Sequence, residues 1–117
     1  MTSTEANRGG PWRPAALIAL GLLLAGPVPA AEPPPERQAE LRYLLRQDCG
    51  SCHGMTLKGG LGPALTPEAL AQRDLAALEA TILHGRPGTA MPPWSDFITP
   101  AEAAWLAREL KSGVGEK

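Results

Sequence analysis

The chain has 117 residues, 20% of them charged, and a formal net charge of −1. That balance excludes the basic footprint of a nucleic-acid binder and the polybasic patch of a membrane-surface protein. Only two cysteines are present, so an iron–sulfur cluster held by four thiolates is excluded as well.

In chain order, the first thirty residues read as a secretory signal. Arg8 and Arg13 give a short positive region, an apolar run follows from Ala15 to Gly26, and Val28-Pro29-Ala30 supplies the small residues of a cleavage site. Twelve apolar residues fall short of the roughly 20 that a spanning helix needs. The expectation is therefore cleavage after Ala30, export to the periplasm and no stable membrane insertion afterwards. Removal of residues 1–30 leaves 87 residues with nine basic and eleven acidic side chains, a net charge of −2.

Residues 31–35 form a proline-rich, extended lead-in, and residues 36–117 read as one all-α domain. A first helix is predicted from Glu36 to about Asp48, with Ala39, Leu41, Leu44 and Leu45 as its apolar positions. Thr66-Pro67 opens a short second helix to about Arg73. Asp74 caps a third, with Leu75, Leu78, Ile82 and Leu83 on its apolar stripe and Gly85 at its end. Thr99-Pro100-Ala101-Glu102 is a capping box for a last helix running to about Lys111. The aromatics Tyr43, Trp94, Phe97 and Trp105 make a thin core, so a domain this small is expected to lean on a cofactor.

The chemistry is concentrated in Cys49-Gly50-Ser51-Cys52-His53. The spacing C-x-x-C-H is the attachment signature of c-type haem. Two thiols bond to the two vinyl groups of one porphyrin, and the adjacent imidazole binds the iron. On a helix these residues stand at i, i+3 and i+4, on one face. A redox thiol pair does not need His53 and usually adjoins a βαβ pattern. A zinc site would have to use neighbouring Cys52 and His53, with His84 far outside the usual ligand spacing.

For the second axial position, Met55 is too close to His53 to cross the ring. Met91 lies in a loop rich in proline, where Pro92 and Pro93 fix the backbone directly after it. His84, at a helix end, is the competitor. A His/Met pair raises the iron potential and fills both axial positions, which favours one-electron transfer. The Pro63 carbonyl is a candidate acceptor for the other ring N–H of His53, or Pro63 is a plain turn residue. Trp94 and Arg86 are within reach of a haem propionate, or belong to the core and the surface respectively. The glycines of residues 54–62 are expected to let the backbone pass close to a flat ligand.

Cys49-Gly50-Ser51-Cys52-His53, Gly62-Pro63-Ala64-Leu65, Met91-Pro92-Pro93-Trp94 and the aromatic in the last helix together resemble a class I monohaem cytochrome c. Arg46-Gln47-Asp48, Leu57-Lys58-Gly59-Gly60-Leu61-Gly62-Pro63 and Gly85-Arg86-Pro87-Gly88-Thr89 are similar, more narrowly, to the cytochrome c55X family. Those are small periplasmic cytochromes encoded alongside cytochrome cd1 nitrite reductase in denitrifying bacteria. The resemblance implies three to four helices wrapped around one covalently bound haem c, with first and last helices crossing. It also implies His53 as the proximal and Met91 as the distal iron ligand. It further implies a monomeric electron carrier, not a catalyst, whose partners are redox proteins. Cytochrome cd1 nitrite reductase is the first such partner, and the haem d1 assembly factors are the alternative.

Overall fold

The computed structural model describes residues 32–113, together with Gly10 and Gly26. The predicted signal segment, residues 1–30, lies outside the described residues apart from those two glycines.

The first helix, α1 (Pro35–Leu44), starts on Pro35 because a proline at the first helical position gives up an N–H that would be unpaired anyway. Gln38 donates from its backbone to Pro34 O (2.9 Å) and from its side chain to Pro33 O (2.9 Å), which ties the lead-in to the first turn. The helix does not stop near Asp48 as its sequence suggests. It passes through a π-helical turn, Leu45–Cys49, and continues as α2 (Gly50–His53). Such turns are rare and favour functional positions, and this one leads directly into the two cysteines.

The remaining helices are α3 (Pro67–Leu70), α4 (Leu75–His84) and α5 (Pro100–Ser112). α3 is a single turn that ends three residues earlier than its sequence suggests. Each of the three is capped by the side chain that precedes it. Thr66 accepts from Ala69 N, Asp74 from Ala77 N and Thr99 from Glu102 N. The capping box of α5 is complete, because Glu102 accepts in return from Thr99 N at 2.8 Å. α5 ends at Gly113, whose left-handed φ of +86° suits glycine.

α5 is the centre of the molecule. Its buried residues Ala103, Trp105, Leu106, Ala107 and Leu110 face α1, α3 and α4. Leu41 and Leu45 of the first helix, Leu57, Leu70, Leu83 and Ile98 complete the core. Aromatics contribute less than their number suggests. Tyr43 and Phe97 are 62% and 67% exposed, leaving Trp105 as the one buried aromatic ring among the described residues. Trp94 packs partly buried at the edge and meets Phe97 at a centroid distance of 5.7 Å.

Two Arg–Glu pairs clasp α1 to α5. Arg37 donates from Nε to Glu102 Oε1 (2.6 Å) and from Nη2 to Glu102 Oε2 (3.3 Å) and Phe97 O (3.2 Å). Arg42 donates to Glu109 Oε2 at 3.0 Å, and its guanidinium lies 5.1 Å from the centroid of the Trp105 ring. The Arg37 hydrogen bond holds the Glu102 carboxyl below its ordinary range, and the guanidinium titrates higher than usual in return. A lowered carboxylate pKa stabilises fully above the unfolded value of about 4.3, and the benefit is lost as pH falls through the folded value. Acid melting should therefore loosen this clasp, and Glu102→Gln should flatten the low-pH arm of a plot of Tm against pH. Arg37→Ala should cost about 1 kcal/mol at neutral pH in denaturant unfolding of the loaded protein, since the pair is partly solvated.

Candidate functional site

α2 ends on Gly54, whose φ of +92° and whose neighbour Gly59 O, 2.5 Å from where a Cβ would stand, admit only glycine. The chain then folds back over the helix end. Gly59 N donates to His53 O (2.8 Å) and Gly62 N to Cys52 O (2.8 Å), satisfying carbonyls that a helix C-terminus leaves unpaired. Leu57 anchors this loop in the core at 2% exposure, and holds a left-handed φ of +58° to do so. The loop glycines Gly54 and Gly62 thus serve close approach to the loop backbone and to the histidine. A Cβ on Gly62 would lie 2.7 Å from His53 Cε1 and 2.8 Å from Nδ1.

This packing carries Pro63 to His53. The Pro63 carbonyl lies 2.6 Å from His53 Nδ1. A carbonyl only accepts, so Nδ1 donates to it, which in the neutral tautomer leaves the lone pair on Nε2. Gly62→Ala should push the imidazole off this acceptor. The expected result is a loss of about 2 kcal/mol in unfolding free energy, read by denaturant unfolding.

A second loop enters the same region from the end of α4. Trp94 N donates to Ile82 O (3.1 Å) and Leu83 O (3.2 Å), and Ser95 N to Leu83 O (3.2 Å). These bonds seat the segment carrying Met91 against the helix terminus. Between the two loops lies a cleft of about 740 Å³, within the roughly 300–1,000 Å³ typical of ligand pockets. Cys49, Cys52, His53, Pro63, Arg86, Met91 and Trp94 all line it. Much of the remaining wall is apolar, from Leu44 and Leu45 through Leu65, Leu70, Leu78 and Ile82 to Leu106 and Leu110.

His84 and Met55 are not part of this wall, and both are exposed. Arg73 and Thr89 line the cleft without having been singled out from sequence. Arg73 follows a short helix and Thr89 a Pro-Gly turn, and nothing in their local pattern separates them from other surface residues. Both cysteines are free. Burial, followed by the Asp48 carboxylate, pushes the Cys49 thiol up to about 11. A redox-active thiol needs the opposite shift, so Cys49 is not tuned as a nucleophile.

Two thiols and an imidazole at i, i+3 and i+4 on one helix, a thioether across the same cleft and a leucine-lined wall fit a covalently attached haem. This donor set on an all-α scaffold, with its first and last helices in contact, defines a c-type cytochrome.

Comparison with known proteins agrees. Residues 36–108 match the family model described as cytochrome C oxidase, cbb3-type, subunit III. Cytochrome c55X of Pseudomonas aeruginosa is 52% identical over 99 residues, spanning 82% of this chain and 83% of that protein. A solved structure of the c-type cytochrome NirC superposes with a TM-score of 0.68 at 57% identity, over 69% of this chain and 95% of that one. The dihydro-heme d1 dehydrogenase of Pseudomonas aeruginosa is 42% identical over 93 residues, 80% of this chain but 18% of that protein. The chain belongs to the cytochrome c55X family. It is an electron carrier of denitrification with a single, covalently bound haem c, from a family of periplasmic cytochromes.

Proposed function

We propose that this chain donates electrons to cytochrome cd1 nitrite reductase in the periplasm, through a haem attached by Cys49 and Cys52 and ligated by His53 and Met91. The observation that carries the reading is the convergence of those four side chains on one apolar cleft. When bound, the haem supplies one-electron Fe(III)/Fe(II) exchange.

The residues of the chain do the rest. Cys49 and Cys52 present their sulfurs from consecutive turns of one helix, which fixes the ligand in position and in rotation. Pro63 accepts from His53 Nδ1, orients the ring and makes its Nε2 a stronger donor. Met91 would supply its thioether sulfur to the iron together with His53, and the leucine wall keeps bulk water away. A haem held by two protein side chains would exchange electrons in preference to binding small substrates. Trp94 and Arg86, which also line the cleft, would hold the haem propionates. Leu61, 82% exposed, stands at the cleft wall and offers an apolar contact of the small kind that suits a transient redox encounter.

Residues 1–30 act as the cleaved export signal in this reading, and the domain works as a monomer. No helix among the described residues is long and apolar enough to cross a membrane. Mixing the reduced protein with oxidised cytochrome cd1 nitrite reductase in a stopped-flow instrument is the test. Reoxidation whose rate rises and saturates with reductase concentration supports the proposal, and absence of electron exchange at any concentration overturns it.

A second reading rests on the likeness to the dihydro-heme d1 dehydrogenase, of which a chain like this one makes up about a fifth. A free cytochrome of the same build would then exchange electrons during haem d1 assembly. Cells lacking the gene separate the two. A nitrite reductase without haem d1 favours the assembly role, whereas a complete enzyme starved of electrons favours the donor role.

A further inference from the structure

Residues 86–91 form a backbone ring, closed from Arg86 N to Met91 O, whose polar groups converge on Met91. Thr89 N donates to Arg86 O at 3.0 Å across a turn with Pro87 and Gly88 at its centre, and Gly88 has a φ of +78°. Proline followed by a positive-φ glycine is the pattern of a type II turn. The Thr89 hydroxyl donates to the same Arg86 carbonyl (2.7 Å) and accepts from Met91 N (3.3 Å). Met91 O in turn accepts from Arg86 N at 3.1 Å.

Both polar backbone groups of Met91 are therefore held, one by the Thr89 side chain and one by the start of the turn. After Met91, Pro92 and Pro93 have no N–H and a fixed φ. The next free donor, Trp94 N, is bound to the last turn of α4. On the other side of the ring stands Gly85, buried and at φ +66°. A Cβ there would lie 2.6 Å from Met91 O, 2.7 Å from Pro92 C and 2.8 Å from Pro93 N. These atoms are main chain, and moving them would move Met91.

We propose that Thr89 and Gly85 are positioning residues for the Met91 thioether, with the Thr89 hydroxyl setting how readily Met91 leaves the iron. The inference rests on the ligation proposed above and goes beyond it. A ligand on a flexible loop yields to any competing donor, whereas a ligand with both backbone groups pinned does so only by breaking the ring. Thr89 is exposed on a surface turn, so its role is separable from folding.

The experiment is an imidazole titration of the oxidised, haem-loaded protein, followed at the far-red methionine-to-iron charge-transfer band, for the wild type, Thr89→Val, Thr89→Ser, Gly85→Ala and Met91→Ala. Valine keeps the shape of threonine and removes both side-chain hydrogen bonds. Thr89→Val should lose the band to imidazole at about tenfold lower concentration, a ratio equivalent to about 1.4 kcal/mol. Thr89→Ser, which keeps the hydroxyl, should titrate like the wild type, and Gly85→Ala should shift at least as far as Thr89→Val. Equal titrations for the wild type and Thr89→Val, with the band absent from Met91→Ala, would overturn this inference and leave the ligation standing. A wild-type band in Met91→Ala would overturn both.

Discussion

Replacing both Cys49 and Cys52 with alanine yields a polypeptide that carries no haem through denaturing electrophoresis and loses most of its helical circular dichroism. The first half of this result follows from chemistry, since the two thiols are the only ones in the chain. The second follows from packing. Leu44, Leu65, Leu78, Ile82 and Trp94 are only partly buried and turn toward the cleft, so the apolar group that completes their burial is the ligand. What remains is a core of leucines, two alanines, one isoleucine and a single tryptophan. A domain of this size buries only about 60% of its unfolded surface and stays marginal without a further staple. Binding free energy and folding free energy are then the same quantity. Helical circular dichroism at the wild-type level in the double variant would show that the helical scaffold stands without its cofactor.

Met91→Ala should have the second largest effect. It should abolish the far-red band, let carbon monoxide bind the reduced protein at neutral pH, and lower the reduction potential by an amount on the order of 0.2 V. That is a fraction of the roughly 0.8 V range that axial ligation spans. The geometry leaves no substitute. His84 sits exposed at the end of α4, and Met55 is 62% exposed on the loop after α2, both away from the cleft wall. A potential unchanged from the wild type, or a ferrous iron that still refuses carbon monoxide, would mean that another side chain holds the second position.

Much of this fold could be read from local signals. The Thr99–Glu102 capping box, the Asp74 cap and the Gly85 stop of α4 stand where the sequence puts them, because each depends on neighbours within four residues. The π-helical turn at Leu45–Cys49 could not be read, since i→i+5 bonding leaves no compositional trace. Nor could the ending of α3 at Leu70. Lys111 of α5 donates to the Ala71 carbonyl (3.3 Å) and to that of Arg73 (2.6 Å), and this tertiary contact holds the residues that propensity alone would have kept helical. The Arg37–Glu102 clasp joins residues 65 positions apart, of which Arg37 looks like ordinary solvated charge and Glu102 like a capping-box residue in its own helix.

The site divides in the same way. The cysteines and His53 are legible because their spacing is itself the chemistry, and Met91 because few other side chains can serve. The loop glycines were legible as glycines but not in their partners. Gly62 faces the His53 ring and Gly54 faces Gly59, contacts that exist only once the loop has folded back on the helix end. Thr89 was invisible for the same reason, because its hydroxyl acquires a purpose only when the turn brings Arg86 O and Met91 N within reach.

An optical redox titration of the purified, unmodified protein decides whether an iron or a thiol pair carries the electrons. A single one-electron wave is expected, with a c-type haem spectrum throughout and the methionine-to-iron band present in the oxidised form alone. A colourless protein, or a two-electron wave belonging to the Cys49–Cys52 pair, would contradict it.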